Sequence, residues 1–102
     1  MIKHIVLLEL ADHINPTDIL MMMNKLENLK NTSIPQIKSF SHGKSSSIEQ
    51  LENGFNYCFM MEFESIPDRD YYVLHEDHKK IASEAIEPAL KNGKECVIVY
   101  DF

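Results

Sequence analysis

Gly54-Phe55-Asn56-Tyr57-Cys58-Phe59-Met60-Met61-Glu62-Phe63 runs directly into Glu64-Ser65-Ile66-Pro67-Asp68, and the change of pattern between the two stretches decides the fold. In the first, Phe55, Tyr57, Phe59, Met61 and Phe63 alternate with Asn56, Cys58, Met60 and Glu62. That is the two-residue period of a strand with one buried face. In the second, Ser65 stands three positions before Asp68, where its hydroxyl can cap a helix with a carboxylate in the first turn. A strand therefore feeds straight into a helix, and the rest of the chain is read outward from that junction.

Upstream, residues 2–10 (IKHIVLLEL) form a first strand. His4, Val6, Leu8 and Leu10 share one face; Lys3, Ile5, Leu7 and Glu9 share the other. Because Ile5 and Leu7 make the second face apolar too, helices are expected on one side and a second subunit on the other. Asn15-Pro16-Thr17-Asp18 is a helix start, with Asn15 as cap and Pro16 at the first helical position. Ile19, Leu20, Met22, Met23, Leu26 and Leu29 then follow helical spacing, so the Met21–Met23 run is expected in the core. Ile34 to His42 reads as a second strand ended by Gly43, and Lys44 to Asn53 as a polar loop with a helical turn at Ile48–Leu51.

Downstream of His78, Ile81, Ala82, Ala85, Ile86, Ala89 and Leu90 again keep helical spacing, with Pro88 expected to kink or end the helix. Asn92-Gly93 stops it, and Lys94 to Phe102 is the last strand. The order strand, helix, strand, strand, helix, strand predicts a ferredoxin-like α+β fold over residues 1–102, with a four-stranded antiparallel sheet in one domain. The first strand then lies between the third and fourth. Cys58 and Cys96 sit about 9–10 Å apart, too far for a disulfide.

Composition narrows the function. The chain has 102 residues, 44% hydrophobic and 25% charged, enough for one small core that association of two copies would enlarge. A net charge of -6 without any basic cluster disfavours nonspecific nucleic-acid binding, and no nucleic-acid partner is expected. No apolar run is long enough to span a membrane, no cleavage signal opens the chain, and the two cysteines lack zinc spacing. A cytoplasmic protein with reduced thiols is expected.

Chemistry concentrates in Tyr71-Tyr72-Val73-Leu74-His75-Glu76-Asp77-His78, which holds two of the five histidines and two of the four tyrosines. On one continuous helix Tyr72, His75 and His78 would share a face. Three readings stand open for them: half-buried packing at a helix end; a proton-transfer site with His78 as base and Tyr72 as donor to an oxyanion; or a metal site. The segment is not HExxH and offers no fixed third ligand, and no phosphate loop or nucleophile elbow occurs, so no metal or organic cofactor is assigned. His4 is either a satisfied core or dimer-interface histidine, or a second imidazole of the same pocket.

Taken together, Ile2-Lys3-His4-Ile5-Val6-Leu7-Leu8, Ile34-Pro35-x-Ile37, Gly43 with Gly54-Phe55, Phe63-Glu64-Ser65, Tyr72-x-x-His75-x-x-His78 and Val97-Ile98-Val99-Tyr100-Asp101 resemble the stress-responsive A/B barrel (Dabb) family over the whole chain. The resemblance implies a homodimer joined through sheet faces into an α/β barrel. One plant member is a polyketide cyclase whose catalytic tyrosine and histidine match Tyr72 and His78, with residues matching His4 and His75 in or near its site. Two positions depart from the pattern: Glu76 stands where the family usually has proline, and Tyr57 where the cyclase has histidine. The expectation is a pocket between sheet and helices, lined by His4, Tyr57, Tyr72, His75 and His78. It would bind a small molecule with Tyr72 as donor and His78 as base. The alternative is a noncatalytic homodimeric stress or assembly protein.

Overall fold

The computed structural model describes residues 1–102. Its elements are β1 (Ile2–Leu8), α1 (Pro16–Asn28), β2 (Ser39–Lys44), β3 (Tyr57–Phe63), α2 (Ile66–Leu74), α3 (Glu76–Ile81) and β4 (Val97–Asp101). The strands form one antiparallel sheet in the order β2-β3-β1-β4. This is the α+β topology read from the sequence, with β1 between β3 and β4. Both cysteines are free thiols, and no helix is long and apolar enough to cross a membrane.

The two-residue period puts His4, Val6 and Leu8 of β1 and Phe59, Met61 and Phe63 of β3 under the helices, where all are buried. Helix α1 begins as its sequence dictates: the Asn15 side chain accepts from the Asp18 amide at 2.8 Å, and Pro16 occupies the first position. It lays Met22, Met23 and Leu26 on the sheet, while Leu20 and Met21 face outward. Met23 and Leu26, almost wholly withdrawn from water, each contribute about 2 kcal/mol.

Several expected boundaries move, each for a physical reason. The second strand starts at Ser39 rather than Ile34 and runs through Gly43. Ile34 and Ile37 are core residues, yet they reach the core from a turn in which the Ile34 and Ile37 amides bond to Leu29 and Ile34 carbonyls. Burial there does not mean a strand. Ile48 and Leu51 lie in an irregular, exposed loop, so the helical turn expected at that place does not form. The last strand begins at Val97, after a 3-10 turn over Gly93–Cys96 in which Gly93 takes a φ of +63°.

The second helical region is broken twice. At His75 the backbone turns extended, with φ -69° and ψ 136°, so α2 and α3 are separate helices. Further on, α3 widens into a π turn over Ala82–Ile86 and then tightens into a 3-10 turn over Glu87–Ala89. Pro88, which has no N–H to give, sits in that second irregular turn.

The far face of the sheet carries no helix. Ile5 and Leu7 of β1, Cys58 and Met60 of β3, and Ile98 and Tyr100 of β4 point there, and Phe102 follows on. Ile98, Tyr100 and Phe102 are exposed on this face, with Tyr100 at 64%.

Candidate functional site

Between sheet and helices lies a cavity of about 400 Å³, walled by His4, Val6 and Leu8 of β1, Leu26 of α1, Phe59 of β3, Tyr72 and Val73 of α2, and His78 of α3. Glu87, Lys94 and Val99, which also line it, are exposed. The volume is that of a small-molecule site, and the wall is mainly apolar with a few polar groups inside.

Tyr72 is the deepest of these groups, with none of its surface exposed. Helix α2 places it there because Ser65 caps the helix, accepting from the Asp68 amide at 3.3 Å. Three buried side-chain polar atoms have no hydrogen-bond partner: Ser33 Oγ, Gln36 Oε1 and Tyr72 Oη. Only Tyr72 lines the cavity. Burial also pushes the phenol pKa far up from its ordinary value, so Tyr72 keeps its proton, and its O–H is left free to donate.

His78 lies against Tyr72, with ring centroids 4.2 Å apart. Its Nδ1 stands 3.1 Å from the Val73 carbonyl. A carbonyl only accepts, so Nδ1 carries the proton and Nε2 keeps a lone pair. The break at His75 makes this possible, because a helix running through would bond the Val73 carbonyl to the Asp77 amide. Instead the His75 Nδ1 accepts from the Asp77 amide at 3.0 Å and caps α3. Burial lowers the His78 pKa, opposed by the Val73 hydrogen bond and reinforced by the charges of His4, Lys79 and His75. The imidazole is neutral at pH 7.

His4 completes the group. Its ring meets Tyr72 edge-on at 5.6 Å and Phe63 at 6.3 Å. Nδ1 lies 2.8 Å from Asp101 Oδ1, and the other oxygen of Asp101 accepts from Arg69 at 2.7 Å. Burial lowers the His4 pKa, and the Asp101 charge and hydrogen bond partly offset this.

Of the five expected pocket residues, the fold gathers His4, Tyr72 and His78 and leaves two elsewhere. His75 is a helix cap packed on Tyr71, with ring centroids at 5.4 Å, and is not part of the cavity wall. The continuous helical face expected to carry Tyr72, His75 and His78 does not exist, because α2 ends at Leu74 and His75, extended, caps the separate helix α3 that holds His78. Tyr57 stands on β3 at the opposite end of the helix layer, in a separate hollow of about 540 Å³ that also includes Ile14, Ile19, Lys44 and Asn56. Its hydroxyl bonds His42 Nδ1 at 2.7 Å. Arg69 and Asp101 were not foreseen, since a pair 32 positions apart leaves no local signal. The pairing of β1 with β4, which sets His4 opposite Asp101, is what exposes it. No three His, Cys, Asp or Glu side chains stand together in a way that would hold a metal ion.

A family model described as the stress responsive A/B barrel domain matches residues 2–102. The chain is similar to the stress-response A/B barrel domain-containing protein HS1 of Arabidopsis thaliana, with 33% identity over 82 residues, covering 80% of this chain and 74% of that protein. A crystal structure from Arabidopsis thaliana aligns with a TM-score of 0.87 at 30% identity, over 100% of this chain and 93% of the other. A dimeric ferredoxin-like protein of unknown function from Jannaschia sp. CCS1 aligns with a TM-score of 0.85 at 25% identity, over 99% and 96%.

Proposed function

The chain belongs to the stress responsive A/B barrel domain family, and on that premise we propose that it binds a small, largely apolar, carbonyl-bearing molecule in the cavity of Tyr72 and His78 and moves a proton on it. The observation that carries this reading is the Tyr72 hydroxyl, fully buried at the cavity and without a partner. Leaving such a group unpaired costs about 1–3 kcal/mol, a cost that a ligand oxygen accepting from it would remove.

The chemistry follows from the two proton positions. The Tyr72 O–H donates to the carbonyl oxygen while His78 Nε2 takes a proton from the neighbouring carbon. The broken C–H bond's electrons move into the carbonyl, and the charge that develops on oxygen rests on the phenol. Returning the proton to the same carbon exchanges it, and returning it to another carbon completes an isomerisation. If the enolate carbon instead attacks a second carbonyl, a C–C bond forms and the proton goes from His78 to that carbonyl's oxygen, an aldol condensation. The apolar wall favours an uncharged substrate.

A second reading, assembly alone, is favoured by the uncovered apolar sheet face of Ile5, Leu7, Met60, Ile98 and Tyr100. We place a homodimer contact there, closing a barrel. It is compatible with the cavity, which lies on the other face. Thermal-shift measurements with a panel of uncharged methyl ketones separate the readings. A stabilising ketone whose effect vanishes in His78→Ala supports the cavity, and silence of every ketone in both proteins leaves assembly as the function.

A further inference from the structure

Resting on that reading of the cavity, we propose that Arg69 and Asp101 are positioning residues that hold His4 in one tautomer, with the proton on Nδ1 and the Nε2 lone pair left free. The cavity then has a second hydrogen-bond acceptor beside His78.

Three elements meet in this arrangement. His4 comes from β1, Asp101 from β4 and Arg69 from α2. The strand register sets Asp101 directly opposite His4, and its two carboxylate oxygens are divided between the two partners, Oδ1 to His4 and Oδ2 to Arg69. A carboxylate oxygen only accepts from a ring N–H, so the proton is placed on Nδ1. The lone pair at Nε2 is on the other side of the ring, away from Asp101. Arg69 matters because a carboxylate that serves only one partner is free to rotate; the planar guanidinium fixes it. Arg69 also bonds Asp70 through Nε at 2.9 Å, so its own geometry is constrained at both ends of the fork.

Neutral His4 is what burial beside these groups favours. The titratable and charged side chains around it are Asp101 from β4, Arg69 and Tyr72 from α2, and His78 from α3. Asp101 favours its protonation and Arg69 disfavours it. The two charges therefore pull its titration in opposite directions, whereas both residues act in the same direction on the tautomer.

That difference gives the test. Nitrogen-15 spectra of the ring-labelled, ligand-free protein report which nitrogen of His4 carries the proton, whether or not the cavity ever binds a ketone. The wild type is expected to show the Nδ1–H form in excess by about tenfold, the scale of one charge-assisted hydrogen bond. Asp101→Asn and Arg69→Met are both expected to lose that excess, while Arg69→Lys retains part of it. At the same time the His4 titration should move down in Asp101→Asn and up in Arg69→Met. An Nε2–H form in the wild type overturns the proposal even if a variant fails to fold, and so does an unchanged tautomer ratio in the two variants.

Discussion

At the residue scale, the fold keeps a hydroxyl in the core that gains nothing there from the protein itself. Phe63 and Tyr72 pack side by side with ring centroids at 5.5 Å, and a phenyl ring at position 72 would fill the same space. Tyr72→Phe is therefore expected to raise the unfolding free energy of the ligand-free protein by about 1 kcal/mol, by removing an unpaired buried polar group. Urea melts check it, and a loss of stability would show that the hydroxyl has a structural partner. The histidines give a second expectation. The pKa values of His4 and His78 are both lowered from 6.5, chiefly by burial, so the unfolded chain takes up those protons first. Their contribution to stability is full above pH 6.5 and falls as pH drops through the lowered values. His78→Gln should flatten that acid limb in melts followed as a function of pH; an unaltered slope would mean His78 is not buried as a neutral base.

At the element scale, the decisive feature is the interruption between α2 and α3. Glu76 departs from the family pattern, where proline usually stands, yet it is the first residue of α3 and follows an extended His75. Both are conditions that proline satisfies. Glu76→Pro should leave stability unchanged or raise it by up to about 1 kcal/mol, and a calorimetric loss beyond about 2 kcal/mol would show that the amide of Glu76 is needed. This interruption also marks the limit of what could be read from the sequence. Strand β3 and the Ser65 cap were legible because alternation and capping are local rules. The position of His75 was not, because its ring accepts from an amide two residues on and ends a helix that spacing alone would continue. Ile34 and Ile37 misled for a similar reason: their apolar character records burial, and a turn buried them as well as a strand would.

At the scale of the whole molecule, the topology could be read because six elements alternate in an order with few solutions, whereas the site depends on which strands become neighbours. His4 and Asp101 lie 97 positions apart and meet only because β1 pairs with β4. The same sheet leaves one apolar face open. Tyr100→Lys adds a charge at a side chain already exposed in the single chain, so it should spare the fold and halve a mass of about twice 11.8 kDa in light scattering. A wild type at 11.8 kDa would rule out the dimer. The cavity draws its wall from both helical regions and three strands, so its chemistry reports on the assembled fold. The most direct measurement is solvent-deuterium exchange into the methyl group of acetophenone, followed by NMR at neutral pH. The wild type is expected to accelerate exchange, and Tyr72→Phe and His78→Gln to slow it by at least about a hundredfold. A wild-type rate no faster than that of the same concentration of free imidazole, or variants as fast as the wild type, would contradict proton transfer by Tyr72 and His78.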